Sequence, residues 1–99
     1  MILETALLTV KKGQEPAFEL AMAKAKEIIS KMPGFGGMEV RRSLDTPNQY
    51  LLQVRWASRA HHTEGFRKSA EYQEWRSLLH HFYKPMPSVD YYSAPVISV

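Results

Sequence analysis

The chain contains no cysteine, so it has no disulfide framework and no thiolate-ligated metal site. No apolar run approaches the ~20 residues of a membrane span. A glycine-rich phosphate loop and a Ser/His/Asp nucleophile signature are both missing. Neither sign of charge dominates: 13 Lys and Arg stand against 10 Asp and Glu, a formal net charge of +3. The basic residues are scattered rather than gathered beside exposed aromatics, which argues against a nucleic-acid partner. The opening Met1-Ile2-Leu3-Glu4 lacks the basic start and long apolar run of a secretory signal. The expectation is a cytoplasmic protein without a membrane partner.

What remains is an ordinary globular composition. Of 99 residues, 44% are hydrophobic and 23% charged, which suits one domain spanning 1–99. A chain of this length buries roughly 60–70% of its unfolded surface and folds with little to spare.

Ile2 to Val10 is apolar and unbroken until Lys11-Lys12-Gly13, and reads as a first strand. After Pro16, residues Phe18, Ala21, Met22, Ala25, Ile28, Ile29 and Met32 recur at steps of three and four. That spacing predicts an amphipathic helix of about four turns, stopped at Pro33-Gly34. Met38, Val40, Arg42 and Leu44 alternate with Glu39, Arg41 and Ser43 as a second strand. Turn chemistry at Asp45-Thr46-Pro47-Asn48 leads into a third strand, Gln49 to Trp56, and the two form a hairpin. Ser58 can cap a short helix to about Lys68, and Ser69 another that carries Tyr72, Trp75, Leu79 and Phe82 on one face. Val89 to Val99 is a last strand or arm, kept from a central position by Pro95.

The order strand, helix, strand, strand, helix, strand predicts an α+β fold. The simplest sheet places strand three between one and two and strand four outside one. That is the ferredoxin-like βαββαβ sandwich, an antiparallel four-stranded sheet with both helices on one face. The strands do not alternate cleanly: Leu3, Leu7 and Leu51 sit on the parity opposite Ile2, Ala6, Leu8 and Leu52. An apolar open face favours burial against a second copy, so a homodimer is expected, with the C-terminal arm covering the face within one chain as the other possibility.

Polar and aromatic residues concentrate in the second half. All four histidines and both tryptophans lie between Trp56 and His81. Neighbouring helical side chains diverge, so one histidine of each pair, His61/His62 and His80/His81, faces inward. Neither pair has the i, i+3 or i, i+4 spacing of metal ligands. Glu64, Glu71 and Glu74 read as exposed helix positions. The stripe Tyr72, Trp75, Leu79 and Phe82 suits a core as well as a ligand wall.

From Trp56 to Pro87 the sequence reads Trp56-x-Ser58, His62, Phe66-Arg67-x-Ser69, Trp75-Arg76, Phe82-Tyr83 and Pro85-x-Pro87. This pattern resembles the antibiotic biosynthesis monooxygenase family, small proteins of the dimeric α/β-barrel superfamily. The first strand, the Gly13-Gln14-Glu15 turn and the Pro33-Gly34-Phe35 helix exit resemble it too, so the likeness covers nearly the whole chain. The resemblance implies ferredoxin-like units whose sheets pack into a dimeric α/β barrel, each with a ligand cavity between sheet and helices. It implies either cofactor-independent oxygenation of phenols and quinols or haem degradation. Haem-degrading members use an asparagine on strand one and a tryptophan and a histidine on the later helices. Alignment on Gly13 and Ser69 puts Ala6, Phe66 and Arg76 there, which disfavours that activity.

The expected function is therefore a monooxygenase acting with O2 on a small phenolic, quinol or polyketide-like aromatic, with no cofactor. His62, then His81, is the expected base, and Arg67 the group that stabilises the substrate anion. Trp56, Phe66, Tyr72, Trp75, Phe82 and Tyr83 are the expected substrate-binding residues. The competing reading is a non-catalytic module that binds a small molecule in the same cavity. An RNA-binding ferredoxin-like domain is disfavoured, because Tyr50 to Trp56 lacks the pattern of stacking aromatics and glycine-flanked motifs that class presents on its central strands.

Overall fold

In β1 (Ile2–Thr9) the side chains of Glu4, Ala6 and Leu8 are buried, while those between them are half-buried or exposed. β3 (Gln49–Trp56) repeats the pattern with Tyr50, Leu52, Val54 and Trp56. This is the two-residue period of strands covered on one face. The computed structural model describes all residues from Met1 to Val99. β1 and β3 pair antiparallel from Ile2↔Trp56 to Thr9↔Gln49. β2 (Phe35–Arg42) flanks β3 and β4 (Val89–Tyr92) flanks β1, so the open antiparallel sheet has the order β2-β3-β1-β4. The expected ferredoxin-like sandwich is the fold observed.

α1 (Glu15–Ile29) begins with Pro16 in its first turn and buries Phe18, Met22, Ala25 and Ile29. These positions fall along one stripe of a helix of 3.6 residues per turn. The chain then turns through Gly34, whose φ of +81° suits only a residue without a side chain. A Cβ there would also overlap the His61 ring. β2 starts earlier than its alternation suggests, at Phe35, and takes a bulge between Phe35 and Gly37. It also ends earlier: Leu44 is 99% exposed in the turn, where Ser43 Oγ accepts from the backbone N–H groups of Asp45 and Thr46. That local bonding competes with the ladder and stops the strand two residues short.

Two further boundaries differ from expectation. The short helix after Ser58 is a single π-helical turn, His61–Phe66, closed by Arg67 N–H donating to the His62 carbonyl at 2.9 Å. The terminal strand covers only Val89–Tyr92. Tyr92 pairs with Leu3 and Tyr91 with Glu4, so a longer β4 would run past the start of β1 and lose its partner. Ser93 to Val99 has no regular structure, and Val96 and Ile97 are exposed. The arm does not cover the outer sheet face within the chain. No helix is long and apolar enough to cross a membrane.

α2 (Ala70–Leu79) starts at the expected cap, with Ser69 Oγ accepting from Tyr72 N–H at 3.1 Å. It packs on α1, buries Trp75 and Leu79, and runs into a 3-10 turn, His80–Phe82. Tyr83 then bridges to Val10, bringing the segment back to the end of β1. Replacing Ser69 with Ala removes the cap and is expected to cost about 1 kcal/mol of stability in urea denaturation. An unchanged unfolding midpoint would contradict a capping role.

Candidate functional site

Antiparallel register sets the centre of the site. On the helix-facing side of the sheet, Glu4 lies directly opposite Tyr91 of β4, and one diagonal step from Trp56 of β3. Diagonal neighbours sit ~7–8 Å apart, within reach of a long side chain. Trp56 Nε1–H donates to Glu4 Oε1 at 2.9 Å. Both side chains are buried, Glu4 at 5% exposure and Trp56 at 0%. A carboxylate removed from water at this depth needs such donors to persist.

The π-helical turn brings the third group. His62 and Phe66, four residues apart on one face of the turn, are both buried, in a local geometry often found where function resides. His62 Nε2 lies 3.4 Å from Glu4 Oε1, and its Nδ1 lies 2.6 Å from Tyr91 Oη. The guanidinium of Arg59 covers the Tyr91 ring at 4.4 Å. Burial, and then the Arg67 guanidinium, lower the His62 pKa from 6.5 to about 4, so the ring is neutral at pH 7. Burial raises the Glu4 carboxyl above its usual range, opposed by the Trp56 hydrogen bond and by Arg67. An ionised Glu4 selects the tautomer with the proton on Nε2, which leaves Nδ1 to accept from the Tyr91 hydroxyl.

A cavity of about 70 Å3 opens from this cluster. Ala6, Leu8, Leu52 and Val54 supply its sheet wall, and Phe66, Tyr72, Trp75, His80 and Tyr83 the opposite wall. Phe66 meets Tyr72 and Trp75 edge-on at 5.3 and 5.6 Å, which sets the ring positions. Ile29, Arg67, Met86, Pro87 and Val89 complete the lining. Burial, then Arg76 and Arg67, lower the pKa of His80. Burial also raises that of Tyr83. Nowhere do three or more His, Asp or Glu side chains converge as metal ligands.

The residues expected from sequence divide accordingly. His62, Arg67, Phe66, Tyr72, Trp75 and Tyr83 reach the cavity. His81 does not: it is exposed and stacks on the Phe82 ring at 4.2 Å, while its neighbour His80 faces inward. Consecutive positions in the 3-10 turn cannot face the same way. Phe82 packs into the core against Phe18 at 5.9 Å rather than on the cavity wall. Trp56 stands behind the wall and acts through its bond to Glu4. Glu4 and Tyr91 were not among the expected residues. The signal for Glu4 was its position: a carboxylate on the otherwise apolar parity of Ile2, Ala6, Leu8 and Val10.

The neutral state of His62 has a measurable consequence. An unfolded histidine titrates near 6.5, so between 6.5 and about 4 the unfolded chain binds more protons at this position than the folded one. The stability associated with His62 is fully present above 6.5 and is lost as the pH falls through about 4. Glu4 acts in the opposite sense, because its raised folded pKa favours folding at low pH. The His62 ring protons should titrate near 4 by NMR, and His62→Gln should flatten the fall in melting temperature on acidification from 6.5 to 4. A ring that titrates at 6.5 would contradict its burial.

Comparison with known proteins agrees with this architecture. The family model described as antibiotic biosynthesis monooxygenase matches residues 1–78. The uncharacterized Bacillus subtilis protein YczJ is 45% identical over 92 residues, covering 93% of this chain and 97% of YczJ. A crystal structure of a candidate antibiotic biosynthesis monooxygenase from Bordetella bronchiseptica superposes with a TM-score of 0.92 at 33% identity, covering 96% of this chain and 97% of that one. SnoaB of Streptomyces nogalater, a cofactor-independent oxygenase, shares the fold with a TM-score of 0.83 at 17% identity, over 97% of this chain and 94% of its own. The chain belongs to the antibiotic biosynthesis monooxygenase family.

Proposed function

We propose that the protein is a cofactor-independent monooxygenase acting with O2 on a small, electron-rich phenol, quinol or polyketide-like aromatic. The observation that carries this reading is the pairing of buried Glu4 with neutral His62 at the end of an aromatic-walled cavity. Proton removal is the step such chemistry needs. Once deprotonated, the substrate is itself a reductant: it passes one electron to O2, and the two radicals combine to form the new C–O bond. For an anthrone-like methylene, the resulting hydroperoxide loses water to leave a ketone. One O2 is consumed, with one oxygen atom retained and one released as water.

The walls support this assignment physically. Phe66, Trp75 and Tyr72 offer ring faces and edges to a flat substrate and exclude water from its anion. Arg67 supplies the positive charge that a developing phenolate or enolate requires. The volume of about 70 Å3 is roughly half of the ~150 Å3 cavity that holds a benzene in an engineered protein. A substrate ring therefore extends past Met86 and Pro87 toward solvent, or displaces them on entry.

Oxygen uptake by the purified protein, measured against a panel of hydroquinones and anthrones with autoxidation subtracted, tests the reading. Uptake proportional to protein without added flavin or metal is expected. Unchanged recovery of every panel member after aerobic incubation would favour a binding module instead.

We further propose that the functional unit is a homodimer joined through the outer sheet faces. Leu7 and Leu51 form a cross-strand pair on that face, and Leu7 is 52% exposed. Around them lie the Arg55–Glu39 bidentate pair at 2.6 and 3.0 Å and the Arg41–Gln53 hydrogen bond. Leu51→Lys should convert a dimer to a monomer in light scattering at micromolar concentration. A monomeric parent protein would contradict the assembly.

A further inference from the structure

The proposed oxygenation needs a proton acceptor, and His62 is poorly placed for it. Its Nδ1 lies 2.6 Å from the Tyr91 oxygen and its Nε2 faces Glu4 Oε1 at 3.4 Å. Both ring nitrogens are thus already faced by protein oxygens. Glu4 is different. Its Oε1 takes the Trp56 N–H and the His62 contact, while Oε2 has no side-chain partner. Every fully sealed side-chain nitrogen or oxygen in the protein has a hydrogen-bond partner, so Oε2 is not sealed. Glu4 lines the cavity, which leaves Oε2 as the oxygen free to accept from a ligand there.

We propose that Glu4, through Oε2, is the catalytic proton acceptor, and that His62 and Tyr91 are positioning residues that hold its carboxylate. This rests on the oxygenase reading and deepens it. In the step proposed, a substrate O–H or activated C–H bond breaks, its electron pair stays on the substrate, and the proton forms an O–H bond at Oε2. Arg67, on the same cavity, balances the new negative charge on the substrate. The acceptor lies deep and the cation elsewhere on the lining, so the substrate class is a planar aromatic that ionises at its buried end. Glu4 returns the proton to the peroxide anion formed with O2, which restores the carboxylate. With Glu4 ionised, Tyr91–OH donates to His62 Nδ1, and the Nε2 edge of the ring rests 3.4 Å from Oε1. The Tyr91 bond holds the imidazole in place and the Trp56 N–H occupies Oε1, so the lone pairs left for a substrate proton are those of Oε2.

The experiment separates this step from oxygenation. Under argon, anthrone in deuterated buffer exchanges its methylene protons whenever a base removes one and a deuteron returns, and NMR follows the loss. The protein should accelerate exchange in proportion to its concentration. Glu4→Gln, which still accepts the Trp56 hydrogen bond, should lower both anaerobic exchange and aerobic kcat by about 10²–10⁴-fold, with a thermal melt close to the parent. Glu4→Asp should recover part of the rate. His62→Leu should keep a measurable rate at high pH and move the acid limb of the kcat/KM profile upward, since the carboxylate exchanges the polar Nε2 edge 3.4 Å from Oε1 for an apolar neighbour. A merely structural His62 would lower the rate without moving that limb. Exchange without oxygen uptake would uphold Glu4 and reject the oxygenase reading. A folded Glu4→Gln variant that exchanges and turns over at the parental rate would overturn the proposal, as would a parent protein that accelerates neither process.

Discussion

The hydrogen bond from the Trp56 indole to the Glu4 carboxylate joins the core of this fold to its chemistry. A carboxylate on the covered face of a sheet is costly in the absence of donors. Trp56 supplies one without contributing charge, and because it is wholly buried it cannot move away. Much else is arranged around that pair. The register of β1 against β3 brings the two side chains diagonally together. The register of β4 sets Tyr91 opposite Glu4, and the π-helical turn lowers His62 onto both. The raised Glu4 pKa and the lowered His62 pKa share one main cause, their burial. A substrate anion shielded in the same way would react with O2 before it is reprotonated.

Much of the scaffold was legible in the sequence because periodicity reports burial directly. The stripe Phe18, Met22, Ala25 and Ile29 marks α1, and the alternation from Tyr50 to Trp56 marks β3. Ser69 was identifiable as a cap because a hydroxyl just before a helical stripe has a local bonding reason to be there. The boundaries that differed depend on partners outside the segment. β4 stops at Tyr92, opposite Leu3, because only one residue of β1 lies beyond that pair and Pro95 follows closely in the chain. β2 stops before Leu44 because Ser43 bonds its own turn.

The site was legible only in part. A clustering of aromatics and histidines in the second half pointed to a pocket there, and His62, Phe66 and Trp75 do reach the cavity. Choosing between His80 and His81 needed the phase of a 3-10 turn, which sequence spacing does not provide. Tyr91 lay in a segment read only as a strand, and its role depends on which β1 residue it faces. Glu4 carried a signal, a charge on the buried parity of a strand, but it is remote in sequence from the other site residues. Its partners come from three separate elements, and only the folded sheet assembles them.

The central claim is that a phenol, quinol or anthrone-like aromatic is bound with its ionising atom at Glu4 Oε2. Its most direct test is a crystal structure of the protein grown anaerobically with a reduced hydroxyanthrone. The account predicts the ring between Phe66 and the sheet wall, an ionisable oxygen or carbon of the ligand beside Glu4 Oε2, and the far end of the ligand at Met86 and Pro87. A ligand bound in the cavity with its ionisable group turned to solvent, and no atom near Glu4, would contradict it.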